Sequence, residues 1–244
     1  LENRRYGGLV YPAWDEIAKY KRDLPEGTPF SFHLNETPWC PYVSSLLQGD
    51  KDVIGLVKSL VEEFGARHVQ INLTAAGVAV GAFAAPGTEG ADEAAAEQAV
   101  SVIRKLCDDF PNTVFVVPIA HMTRPDGVTV DTLHFFQRLL AKAPVPVNLC
   151  AFFDSSAGTG KEPDAAPEIP DGYPKGLAHR VGFTGGITPD NAKVWLQRYT
   201  ACARQYGVSV LSDAQSGFRV GRRRGEAVDV EALKNLAAAV KEWA

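Results

Sequence analysis

"RVGFTGGITPDNAKVWLQRYTACARQYGVSVLSDA" (residues 180–214) holds a β-branched apolar run, a double-glycine turn, a long helical stretch and a second β-branched run. Two strands separated by a helix-length crossover pair in parallel, because a tight hairpin cannot join them in that direction. The same alternation extends upstream. Apolar runs occur at "PFSFHLN" (29–35), "HVQINLT" (68–74), "TVFVVPIAH" (113–121) and "VPVNLCAFF" (145–153), besides "RVGFTGGI" (180–187) and "GVSVLSDA" (207–214). Helical patterns lie between them: "DVIGLVKSLVEEFG", "ADEAAAEQAVSVIRKLCDDF", "TVDTLHFFQRLLAKA" and "NAKVWLQRYTACARQYG", with "VDVEALKNLAAAVKEWA" closing the chain. In the fourth, Val194, Trp195, Arg198, Ala201 and Cys202 follow the spacing of a buried stripe. "GLVYP" (8–12) is too short and turn-rich to read as a strand.

Strand and helix in alternation fit an open doubly wound sheet or a (β/α)8 barrel. Six strands are two short of the barrel. Met122 is the only methionine, so Leu1 is not a translation start, and an upstream segment is expected that could supply the missing pair. With no linker or second core in sight, residues 1–244 read as a single domain.

The 244 residues are 45% hydrophobic and 22% charged, enough apolar material for a sizeable core. A net charge of -4 speaks against nucleic acid as the main partner, and "RVGRRRG" (219–225) reads as a solvated loop. No apolar run reaches the ~20 residues of a membrane span, so no membrane partner is expected. Cys40, Cys107, Cys150 and Cys202 are dispersed and form no CxxC pair, which points to reduced core thiols and a cytoplasmic setting. His33, His68, His121, His134 and His179 show no metal-ligand spacing, and no metal or cofactor is expected.

In α/β architectures the carboxyl ends of the strands carry the ligand. Three segments stand there. Gly185 and Gly186 precede a helix that Thr188 could cap with Pro189 as its first residue, a turn where an anion can approach backbone N–H groups. One unit later, Ser216 and Gly217 follow the next apolar run, and the loops after the last two strands of such barrels often hold phosphate. Asp154 ends a strand of apolar residues, where a partly desolvated carboxyl could act as general acid or base. The following "SSAGTGK" falls short of a P-loop, since Ser155 replaces the first glycine and Glu162 the Mg²⁺-binding hydroxyl. His33 and Gln70 lie inside strand runs; on strands that line a barrel they could point to its mouth, but they read better as buried, satisfied polar groups.

"FDSSAGTGK", "FTGGITPDN", "SDAQSGFR" and "VDVEAL" follow one another in the order and spacing of phosphoribosylanthranilate isomerase, a (β/α)8 enzyme of tryptophan biosynthesis. "RRYGGLVYPAWDEIAKY" and "HVQINLT" resemble earlier segments of that family, and "FSFHLN…LLQGD" is similar to its isomerase-like relatives. The resemblance implies a (β/α)8 TIM barrel whose strands one and two lie upstream of Leu1. It implies Asp154 as general acid, Gly185, Gly186, Ser216 and Gly217 as the phosphate loops, and Arg5 as a substrate contact. It further implies acid–base isomerisation of a small phosphorylated metabolite without a cofactor, and leaves the oligomeric state open. The family's base is a cysteine on strand one that none of the four cysteines here replaces. Asp213 and Gln215 also depart from the small residues usual on the last strand. A phospholigand-binding barrel that has lost the base is therefore the rival expectation. A phosphosugar aldolase would want a strand lysine and a metal-using epimerase a His/Asp cluster, and neither pattern is present.

Overall fold

The computed structural model describes residues 14–23, 30–37, 40–73, 80–83, 90–119, 121–123, 129–154, 162, 169, 180–205, 207–213, 220–222, 229, 231–232 and 234–235. All six apolar runs are strands: β1 (Phe30–Leu34), β4 (Ala66–Ile71), β5 (Val114–Ile119), β8 (Leu149–Asp154), β9 (Arg180–Thr184) and β10 (Ser209–Asp213). They form one parallel sheet in the order β1-β4-β5-β8-β9-β10.

Helices α1 (Trp14–Asp23), α2 (Tyr42–Leu47), α3 (Lys51–Glu62), α4 (Val80–Phe83), α5 (Glu93–Asp109), α6 (Thr132–Ala141) and α7 (Ala192–Gln205) alternate with these strands. Two short antiparallel ladders decorate the frame, β2 (Glu36–Thr37) with β3 (Cys40–Pro41) and β6 (His121–Thr123) with β7 (Thr129–Asp131). Among the described residues no helix is long and apolar enough to cross a membrane.

Aspartates start α3, α5 and α6. Asp50 accepts from the N–H groups of Asp52 and Val53, Asp92 from Ala95 and Asp131 from Leu133, each satisfying a donor the helix leaves open. Bidentate Arg138–Glu93 contacts of 2.7 and 2.9 Å join α6 to α5.

Strand side chains alternate between two faces, and each face has its own core. Outward-facing Val69, Phe115, Val117, Ala151, Phe153, Val181 and Phe183 merge with the buried faces of the helices into one large cluster. The opposite face carries a separate small cluster of Val114, Val116, Cys150 and Phe152, packed by Leu211. β5 and all but the last residue of β8 are buried on both faces, whereas the edge strands β1 and β10 are only partly covered.

That second face is concave. His33, Gln70, Val116, Cys150, Arg180 and Ser209 are successive register partners across the six strands. Yet the side chain nearest His33 across the open side belongs to Asp213, four residues beyond Ser209, with Nε2 and Oδ2 3.8 Å apart. The sheet therefore curls until its edges face each other, with the stagger that tilted strands give a barrel.

The expected closed eight-stranded barrel is not formed. Six strands make a curled half-barrel, and among the described residues β1 pairs only with β4 and β10 only with β9. Two more corrections concern α7. It begins at Ala192 rather than at Pro189, and its buried residues are Ala192, Trp195, Tyr199 and Ala203. Val194, placed in the stripe on spacing, is 47% exposed. Aromatic stacking sets the helix rotation: Tyr199 lies on Phe183 of β9 at a centroid distance of 5.0 Å, with Trp195 5.7 Å from Tyr199.

Candidate functional site

Asp154, Thr184 and Asp213 are register partners on β8, β9 and β10, so they form one row at the carboxyl ends of three adjacent strands. Parallel neighbours lie about 4.8 Å apart, which separates the two aspartates by roughly 10 Å with Thr184 between them. All three share the concave face, since residues of one register row point the same way. Thr184 Oγ1 donates to the backbone carbonyl of Asp213 (2.8 Å), and Ser212 Oγ on the opposite face donates to that of Phe183 (3.1 Å). Side-chain bonds thus lock β9 to β10 at the level of the row.

Directly after Thr184 come Gly185 and Gly186, at φ 116° and 60°. Both lie in the left-handed region that residues with a Cβ rarely adopt, which accounts for two glycines where one would turn the chain. Gly185 is buried and Gly186 half-buried. Asn191 holds the turn: its Nδ2 donates to Gly186 O (3.0 Å), and its Oδ1 accepts from the Thr188 N–H (2.7 Å). The Thr188 carbonyl accepts from Ala192. α7 starts only at Ala192, past this brace, and not directly after Thr188 as expected.

His33 faces this row from the far edge. It was expected to be buried and satisfied, but its side chain is 32% exposed and looks across the open side at Asp213, itself 36% exposed. A half-barrel leaves its edge strands uncovered, so a residue that would be enclosed mid-sheet is accessible here. Behind it Asn72 Nδ2 donates to Asn35 Oδ1 (2.7 Å), tying the ends of β4 and β1.

Toward the amino ends of the strands the concave face has a second polar group. Ser31 Oγ lies 3.2 Å from His68 Nδ1. Burial, then the positive charge of Arg180, hold the His68 pKa below its usual value. β5 and β8 separate His68 from Arg180 in the sheet, and curvature lets them influence each other across it. The apolar cluster of Val114, Val116, Cys150, Phe152 and Leu211 adjoins this group, Val114 being the register partner of His68 and Cys150 that of Arg180.

Of the residues singled out in the sequence, Asp154, Gly185 and Gly186 come together at one end of the curl. Ser216, Gly217 and Arg5 lie outside the described residues. Burial raises the thiol pKa of Cys107 and Cys150 to about 12, so neither offers a thiolate base. Among the described residues no group of three or more His, Cys, Asp or Glu is placed to hold a metal ion. His33 as a partner of Asp213 has no local sequence signature, because the contact depends on the curvature of the whole sheet.

Comparison of the chain with protein-family models, with curated proteins and with solved structures finds no match in any of the three. The functional reading rests on the geometry and on the motif resemblance.

Proposed function

We propose that this chain binds a phosphorylated sugar derivative at the carboxyl ends of β8, β9 and β10 and isomerises it by proton transfer, as phosphoribosylanthranilate isomerase does. The observation that carries the reading is the single register row of Asp154, Thr184 and Asp213, with the Gly185-Gly186 turn at its centre. A carboxyl group and a glycine turn then stand within one small sugar of each other.

Phosphate sits on the backbone N–H groups of Gly185 and Gly186, where no Cβ stands in the way. The Thr188 N–H takes no part, being bonded to Asn191. Ser216 and Gly217 complete the phosphate loops, and Arg5 contacts the substrate, by resemblance. Asp154 acts as general acid and gives its proton to the ring oxygen of the sugar, opening the ring to a Schiff base. A base then removes the C2 proton, and the resulting enolamine collapses to the ketose. The steps are proton transfers, to which positioned acids and bases contribute about 10²–10⁴-fold each.

The test is turnover of phosphoribosylanthranilate by the full-length protein, followed as loss of anthranilate fluorescence. Asp154→Asn is expected to abolish turnover while keeping affinity for a phosphosugar analogue, and Gly186→Asp to abolish that affinity by steric block and charge. Unchanged turnover in the first variant would remove the role of Asp154. A folded protein that binds the analogue but never turns the substrate over makes this a phospholigand-binding barrel.

A further inference from the structure

We infer that His33, oriented by Asp213, is the base that takes the C2 proton. The inference rests on the isomerase reading above and supplies the group that the motif resemblance leaves unassigned.

Three observations carry it. His33 Nε2 and Asp213 Oδ2 are 3.8 Å apart across the open side of the sheet. That separation is longer than a hydrogen bond, as catalytic contacts often are before substrate tightens them. Each side chain is about one third exposed, shielded by the sheet yet open to a ligand. Finally, Asp213 belongs to the row that holds Asp154, two strands away, with the Gly185-Gly186 turn between them. A sugar whose phosphate is held at the turn would have Asp154 on one side and His33 on the other, the placement that acid–base catalysis on opposite flanks requires.

The other polar and charged groups of the concave face suit this assignment. Gln70, the register partner of His33, is neutral, and Arg180, four strands along the same register row, acts on His68, whose pKa its charge lowers. Asp213 is thus the anion placed to hold the imidazole ring and to stabilise the imidazolium that forms.

The proton balance closes. Ring opening leaves Asp154 ionised and the C1=N nitrogen protonated. With its Nε2–H turned toward Asp213, His33 takes the C2 proton on the Nδ1 lone pair, the C2–H electron pair becomes the C1=C2 bond, and the C1=N pair moves onto nitrogen. The imidazolium then protonates C1 as the enol becomes a ketone, and the enol O–H proton returns to Asp154. Both groups end as they began, and nothing is oxidised or reduced.

The experiment compares parent, His33→Ala, His33→Gln and Asp213→Asn, each verified as folded and able to bind ribose 5-phosphate, in the fluorescence assay with and without added imidazole. Expected are a fall in kcat of about 10²–10⁴-fold in both His33 variants and at least tenfold recovery of His33→Ala by imidazole. Asp213 acts through His33, so Asp213→Asn lowers kcat about tenfold or more with KM little changed. Parent-like kcat in the His33 variants, or a loss that imidazole does not restore, overturns the inference while the isomerase reading stands. Absence of turnover in the folded parent fells that reading and this inference with it.

Discussion

Gly182 is in the middle of β9 on the concave face, and its glycine identity answers to a neighbour rather than to the backbone. It is not among the glycines with positive φ. A Cβ built on it would stand 2.1 Å from Phe152 Cδ2, 2.8 Å from Cε2 and 3.3 Å from Cγ. Phe152 is 2% exposed and belongs to the small cluster that fills the curl, so its ring has little room to withdraw. Gly182→Ala must displace that ring or part β8 from β9. Overpacking of this kind costs about 1–3 kcal/mol, and a contact so far inside van der Waals distance belongs at the upper end. Replacing glycine in a strand returns roughly 0.5–1 kcal/mol of backbone entropy. The net expectation is a loss of about 2 kcal/mol, or about 4–8 °C in Tm for a chain of this size. Urea unfolding of parent, Gly182→Ala, Phe152→Ala and the double variant supplies a thermodynamic cycle. Phe152→Ala alone should cost about 3–5 kcal/mol. In its background Gly182→Ala should be neutral or stabilising, a coupling of about 2 kcal/mol. A stable Gly182→Ala, or additive effects, would show that the ring and the glycine do not exclude each other as described.

Two further outcomes can be checked. The Tyr199 hydroxyl is buried without a hydrogen-bond partner among the described residues, and burial, then the charges of Asp154 and Glu162, push its pKa up to about 12. Tyr199→Phe keeps the stack on Phe183 and removes the unpaired group, so it should stabilise the protein by about 1 kcal/mol in urea unfolding; destabilisation would mean that the hydroxyl is satisfied after all. His68 has a folded pKa held below its unfolded value of 6.5, so between the two the unfolded chain binds the extra proton. Its neutral form supports the fold fully above the unfolded value, and that support is lost as pH falls below it. Between about pH 7.5 and about pH 5.5 the parent should lose more stability than His68→Gln, and equal losses would remove His68 as the cause.

Much of the frame was legible in the chain because its signals are local. Each strand is a short run of apolar or β-branched residues, and α3, α5 and α6 carry apolar residues at turn spacing with an aspartate at the start. The β6–β7 ladder was hidden: "TVD" joins the helical pattern that follows, although it is strand and Asp131 is that helix's cap. The α7 stripe differs from the expectation because spacing alone cannot weigh Tyr199, whose ring stacks on Phe183, against Val194, which is left exposed. At the site, Asp154 and the glycine pair were visible since a strand's end can be read from its own residues. His33 facing Asp213 was not. The two belong to the first and last strands of the sheet, and only accumulated twist and stagger bring them together.

Asn148, one residue before β8, donates from Nδ2 to the carbonyls of Cys107 (3.1 Å), Phe110 (3.1 Å) and Thr113 (2.9 Å). It thereby pins the start of the strand to the end of α5 and to the lead-in of β5. From Leu149 to Asp154 the chain runs straight for roughly 17 Å at the usual rise per residue, walled in on both sides. The strand behaves as a stiff rod held at its foot, with the carboxyl group at its tip. A disturbance at the foot is carried along such a rod instead of dying away in soft surroundings, so the reach of Asp154 into the open end of the sheet is set by an amide at the other.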